Sequence, residues 1–206
     1  MGILAYQSWN DNMTKSTAIV YHSANGFTNK VAKSIHAGLA SRVNNSCRLL
    51  NVEFLTKDEW AYIESANGLI FGAPTYFGGV SGQFKRFMDQ TIDIWAAGRW
   101  KGKAASAFVT AADVRFDAYC SLNQMFVFAS QHAMRWINPL SYIAQRQPAE
   151  MSRVVVSYGI VVCGTRDQVD VMLSKQEIAL LSEFGAGFAA EVPVDQSRQI
   201  KYADQL

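Results

Sequence analysis

The stretch ANGLIFGAPTYFGGVSGQFKRFMD, residues 66–89, passes from one kind of periodicity to another. Gly68–Gly72 is a short apolar run, read as a buried strand. From about Gly82 to Ala97, Phe84, Phe87, Met88 and Ile94 fall on one side at helical spacing. Between them, Pro74–Ser81 is built from Pro, Gly, Ser, Thr, Val and two aromatic rings. A plain connection needs about two to six residues and no exposed rings. The segment is therefore either a long turn or a ligand seat.

The strand-then-helix alternation repeats on both sides. Upstream, Ser16–Tyr21 is a β-branched run ending in HSANGFT. A helix follows from Thr28, its predicted N-cap, with Val31, Ala32, Ile35 and Leu39 recurring at three- and four-residue steps. Cys47–Phe54 alternates as a second strand, and Lys57–Ser65 is a short helix. Downstream, Ala104–Thr110 is a fourth strand and Tyr119–His132 a helix, followed by the extended MRWINPLSYIA. Gln145–Ser157 is expected to be an excursion or subunit-contact loop, and YGIVVCG a further buried strand. Ser174 and Glu177 form a capping box ahead of a helix carrying Ile178, Leu181, Phe184 and Phe188. One domain is expected over residues 1–206, with an N-terminal extension (1–15) and a polar tail (193–206).

Five such units with buried strands predict an α/β three-layer sandwich: a five-stranded parallel sheet in the flavodoxin-like order 2-1-3-4-5, helices on both faces. Ligands of such sheets bind beyond the carboxyl ends of the strands, where the strand order reverses. The loops facing that crevice are Ser23–Thr28, Pro74–Ser81 and Ala111–Ala118. The first offers hydroxyls at Ser23 and Thr28, the Asn25 amide and a bend at Gly26, at the start of a helix. That suits a phosphate, and equally an ordinary turn. In the second, Tyr76 and Phe77 stand beside the amides of Gly78 and Gly79. Such rings either wall a flat cofactor or belong to the core.

Composition narrows the classes. Half of the 206 residues are apolar and the formal net charge is +2, without a basic block, so nucleic acid is not an expected partner. No run approaches the ~18 apolar residues of a membrane span. Cys47, Cys120 and Cys163 are odd in number and far apart, so neither a disulfide framework nor a CxxC metal site is indicated. A cytoplasmic protein is expected. No GxxxxGK[ST] or GxGxxG occurs, and strands one and three end in Tyr21-His22 and Gly72-Ala73 rather than the acidic residues of a response regulator.

Residues 72–108 resemble the WrbA-type NAD(P)H:quinone oxidoreductases, FMN enzymes whose pattern there is G-[ST]-P-T-R-[FY]-G-x-M-[SA]-x-Q-x-[KR]-x-F-x-D, then W-x-x-G and GK. The chain keeps Gly72, Pro74, Thr75, Phe77, Gly78, Ser81, Gln83, Phe87, Asp89, Trp95, Gly98, Gly102 and Lys103. The resemblance implies FMN as cofactor and NAD(P)H as donor, a quinone-like acceptor and a homo-oligomer, dimer or tetramer. It puts the FMN phosphate on Ser23, Ala24, Asn25, Gly26, Phe27 and Thr28. The flavin ring falls on Pro74, Thr75, Tyr76, Phe77 and Gly78, and the third loop on Thr110, Ala111, Ala112 and Asp113. Trp95 and Tyr158 fall on the substrate side. His132 matches a flavin-approaching His, with proton delivery as its expected catalytic role. Taken alone, Trp95 reads equally as core and His132 as structural. Three departures stand out: Tyr76 replaces Arg, bulky and charged residues replace glycines in Thr110–Ala118, and MSRVVVS precedes Tyr158. The alternatives are a flavodoxin-type electron carrier, or a flavin-free binding protein with a degenerate third loop.

Overall fold

A computed structural model describes residues 14–112, 116–143, 153–164 and 172–193. In chain order the elements are β1 (Lys15–Tyr21), α1 (Phe27–Ala40), β2 (Asn45–Asn51), α2 (Lys57–Ser65), β3 (Gly68–Tyr76), β4 (Gly79–Val80), α3 (Gly82–Gln90), α4 (Ile92–Ala96), β5 (Ala104–Ala111), α5 (Phe116–Gln131), β6 (Arg135–Trp136), β7 (Val154–Val156), β8 (Ile160–Cys163) and α6 (Lys175–Glu191). The long parallel strands lie in the order β2-β1-β3-β5-β8, which is the flavodoxin-like 2-1-3-4-5.

Alternation along the strands fills two cores. Phe71, Ala107 and Val109 point into one, with Phe84, Phe87 and Phe128 from the helices of that face and Trp100 from the turn after α4. Ile19, Ile70 and Phe108 point into the other, against Ile35 and Leu39 of α1 and Phe184 and Phe188 of α6. Each fully buried ring contributes roughly 1.5–3 kcal/mol by leaving water.

Four local expectations change. The second strand stops at Asn51, the last residue paired with β1. Asn51 Oδ1 accepts the Glu53 N–H (3.1 Å) and turns Val52–Phe54 into a 3-10 helix, leaving Phe54 exposed. The helix expected over Gly82–Ala97 breaks at Thr91, whose hydroxyl donates to the Met88 carbonyl (2.7 Å). Gln145–Ser157 lies outside the described residues up to 152. Its described end forms β7, which pairs antiparallel with β8 at the sheet edge. The fifth strand is divided. β6 pairs with Ala104 and Ala105 at one end of β5, and β8 with Phe108–Ala111 at the other. The chain leaves at Asn138-Pro139, where proline has no N–H for a ladder. Ser106 Oγ donates to the Ile137 carbonyl there (3.0 Å). The capping box on α6 is present: Ser174 Oγ accepts the Glu177 N–H (3.2 Å), and the Glu177 carboxylate the Ser174 N–H (2.6 Å).

Candidate functional site at the carboxyl edge of the sheet

The first loop is shaped by Gly26, which adopts φ +83° and is the N-cap of α1. Thr28, expected at that position, is instead buried inside the first turn. Its hydroxyl lies 2.8 Å from that of Thr110, tying the first loop to the end of β5. Ser23 Oγ accepts the Asn29 N–H (3.1 Å), which leaves its own proton to donate elsewhere. Tyr21 Oη donates to Asn29 Oδ1 (2.8 Å) and braces the turn from below. Gly26 itself offers no capping side chain, and the first turn of α1 holds no acid. Among the described residues no acceptor meets the N–H groups of Gly26, Phe27 or Thr28. Such an N-terminus carries free donors and about half a positive charge.

The second loop is a β-hairpin. β3 runs on to Tyr76, and β4 returns beside it, pairing Tyr76 with Gly79 and Thr75 with Val80. The two residues between, Phe77 (φ +49°) and Gly78 (φ +76°), both have positive φ, the signature of a type I′ turn. Of the two readings open for the rings, the core is excluded: Tyr76 is exposed and Phe77 fully so. The Thr75 hydroxyl, one residue beyond the buried Pro74, is buried and has no partner among the described residues.

The third loop joins them. Thr110 stands in register with Pro74. The Ala111 carbonyl accepts the Gly164 N–H (2.7 Å), so the end of β8 meets the end of β5. The Phe27 ring lies beside Gly164. Ala24, Asn25 and Ala112 are exposed along this rim, and Asp113 lies outside the described residues. Ser23–Thr28, Pro74–Gly78 and Thr110–Ala112 are thus brought to one edge. They fit a phosphate monoester carrying a flat ring: uncapped amides, open space beside Gly26, an unpartnered Thr75 hydroxyl and two outward rings. His22, which sequence reasoning passed over, is buried at the foot of the first loop, 3.9 Å from Glu53. Burial lowers its pKa, which Glu53 opposes. Its only signal was its place before Ser23.

Within one chain, His132 and Trp95 do not join this group. His132 follows α5 and precedes Arg135, which pairs with Ala104 at the amino end of β5. Thr110 is six residues further along that strand, about 20 Å away. His132 is buried against Trp100 and Phe128, with ring centroids 4.6 and 4.8 Å apart. Its Nε2 is 2.9 Å from Thr91 Oγ1. The Thr91 proton is already given to Met88, so the Nε2–H donates and Nδ1 is the bare nitrogen. Burial pushes the pKa down to about 4. Trp95 is half exposed rather than core, and its Nε1–H donates to the Gln131 carbonyl (3.0 Å). Both line a groove of about 750 Å³ between α3–α4 and α5, with Met88, Ile92 and Lys85, which is paired to Asp89. Tyr158 lies apart from both places: its hydroxyl donates to the Tyr119 carbonyl (3.3 Å) and its ring meets Phe126.

Residues 58–147 match the family model of NADPH-dependent FMN reductases. The flavodoxin FldP of Pseudomonas aeruginosa is 32% identical over 120 residues, 58% of this chain and 64% of that protein. The quinone-oxidoreductase QR2 of Triphysaria versicolor is 34% identical over 113 residues, 47% of this chain and 55% of that one. The chain therefore spans less than two thirds of either relative. The crystal structure of a flavodoxin, WrbA-like protein from Agrobacterium tumefaciens is 26% identical with a TM-score of 0.68, covering 87% of this chain and 98% of the other. Joined to the sheet order and the loops at its carboxyl edge, these likenesses show a flavodoxin-like fold and make the chain similar to the WrbA-like proteins and the NADPH-dependent FMN reductases.

Proposed function

We propose that the protein is an FMN-dependent oxidoreductase that draws two electrons from NAD(P)H and passes them to a quinone-like acceptor. The observation that carries this is the set of open amides at Gly26, Phe27 and Thr28 on α1, one strand away from a hairpin that turns Tyr76 and Phe77 outward. Ser23 Oγ–H and the amides of Gly26, Phe27 and Thr28 would hold the phosphate. Thr75 Oγ1 and the Gly78 amide would meet polar atoms of the ring, with Tyr76 and Phe77 against its face. Bound there, flavin supplies hydride acceptance and two-electron delivery. The chain orients it, keeps water from its buried side and needs no nucleophile of its own.

His132 is neutral at pH 7 and its one proton is committed to Thr91, so it is no proton donor to a site in its own chain. The expected role of His132 and Trp95 beside a flavin requires a second copy of the chain, as a dimer or tetramer seated on the groove they line.

The test is optical. Protein reconstituted with FMN should retain the flavin visible band through gel filtration, and NAD(P)H should bleach it, with a quinone restoring it. Uptake without bleaching favours a flavodoxin-type carrier, the reading supported by the likeness to FldP. The +2 net charge speaks against the acidic docking surface such carriers use. Absence of uptake overturns both.

A further inference from the structure

The hairpin that bears Tyr76 and Phe77 is poorly supported by its own hydrogen bonds. Thr75 faces Val80 next to the Tyr76–Gly79 pair that closes the two-residue turn, so Val80 turns its N–H away from β3. One rung further on, the Ser81 N–H donates to the Pro74 carbonyl (3.2 Å), and proline has no N–H to return. The tip adds a cost, because Phe77 holds positive φ with its ring fully exposed. A non-glycine residue in that region is strained by its Cβ.

The missing support comes from another element. Gln124, in the middle of α5, accepts the Val80 N–H on Oε1 (3.1 Å). Its Nε2 lies against Gly79, where an added Cβ would stand 3.2 Å from it. The amide therefore bonds Val80, 44 positions away in sequence, and packs against Gly79. Behind β4, Val80 is anchored in the core, so the grip acts on a strand already held on its inner side.

We infer that Gln124 is a positioning residue of the ring seat: by holding β4 it presents Tyr76 and Phe77 in a single conformation. This rests on the flavin reading of the hairpin, and the experiment separates the two. Gln124→Met keeps the length of the side chain and removes the acceptor, whereas Gln124→Glu keeps an acceptor oxygen. Hydrogen exchange of the Val80 and Tyr76 amides in the FMN-free protein should quicken about three- to tenfold in Gln124→Met, the worth of one such bond. FMN should bind that variant about three- to tenfold more weakly, with an altered flavin absorbance contour, and Gln124→Glu should restore exchange, affinity and contour. Unchanged exchange in Gln124→Met overturns the inference whatever the flavin does. Faster exchange with parental FMN affinity and contour overturns the link from hairpin to ring. Failure of the parent to take up FMN overturns the function and the ring seat together, and leaves exchange to decide only whether Gln124 orders the hairpin.

Discussion

His132 shows how much a single residue's role depends on its proton. Thr91 spends its hydroxyl proton on Met88 and must accept from the imidazole, which settles the tautomer. Burial holds the pKa at about 4, well below the ~6.5 of an unfolded chain. Between those values the unfolded chain binds the proton and the folded one does not. Stability from this site is therefore complete above about pH 6.5 and declines as pH falls toward 4. The His132 ring resonances should titrate near pH 4 by NMR, and a midpoint near 6.5 would contradict the burial. At the opposite edge, Thr28 was legible as a helix-start residue but not as the partner of Thr110, which is 82 positions away. Side-chain chemistry can be read from a sequence, whereas the identity of a long-range partner cannot.

At the scale of elements, the β3–β4 hairpin is the clearest revision. PTYFGGVS reads as loop because Pro and Gly interrupt any alternation, and two strand residues are too few to register as a strand. The tip takes the backbone form that Asn-Gly adopts most readily. Phe77→Asn should raise stability by about 0.5–1 kcal/mol in urea unfolding. The same substitution removes an exposed ring and should weaken FMN binding. A variant that is no more stable than the parent would show that Phe77 strain is not what the turn costs. The divided fifth strand teaches the same lesson: MRWINPLSYIA reads as extended and YGIVVCG as a strand of its own, and only their pairing to the two ends of β5 relates them.

Across the whole molecule, α1 and α6 pack so closely that neither tolerates a side chain at the crossing. A Cβ on Gly185 would lie 2.1 Å from the Ile35 carbonyl oxygen, and one on Gly38 1.8 Å from that of Ser182. Gly185→Ala should cost about 2–3 kcal/mol by thermal unfolding, since backbone cannot move aside as a side chain can. It should also weaken FMN binding, because the loop proposed to hold the phosphate leads into the first turn of α1. Wild-type stability in that variant would mean the helices part without consequence.

The sequence by itself determined the alternation of strands and helices, the 2-1-3-4-5 sheet and which three loops stand at its carboxyl edge. These follow from apolar period, turn chemistry and right-handed crossovers, all of which act over a few residues or over one unit. Only the tertiary structure decided that Tyr76 and Phe77 face outward on a hairpin, that Gln124 bonds to that hairpin, and that Trp95 and His132 line a groove between α3–α4 and α5 instead of joining the three loops. The physical reason is direction: α5 runs back against the strands, so a residue at its end is carried to the opposite edge of the sheet.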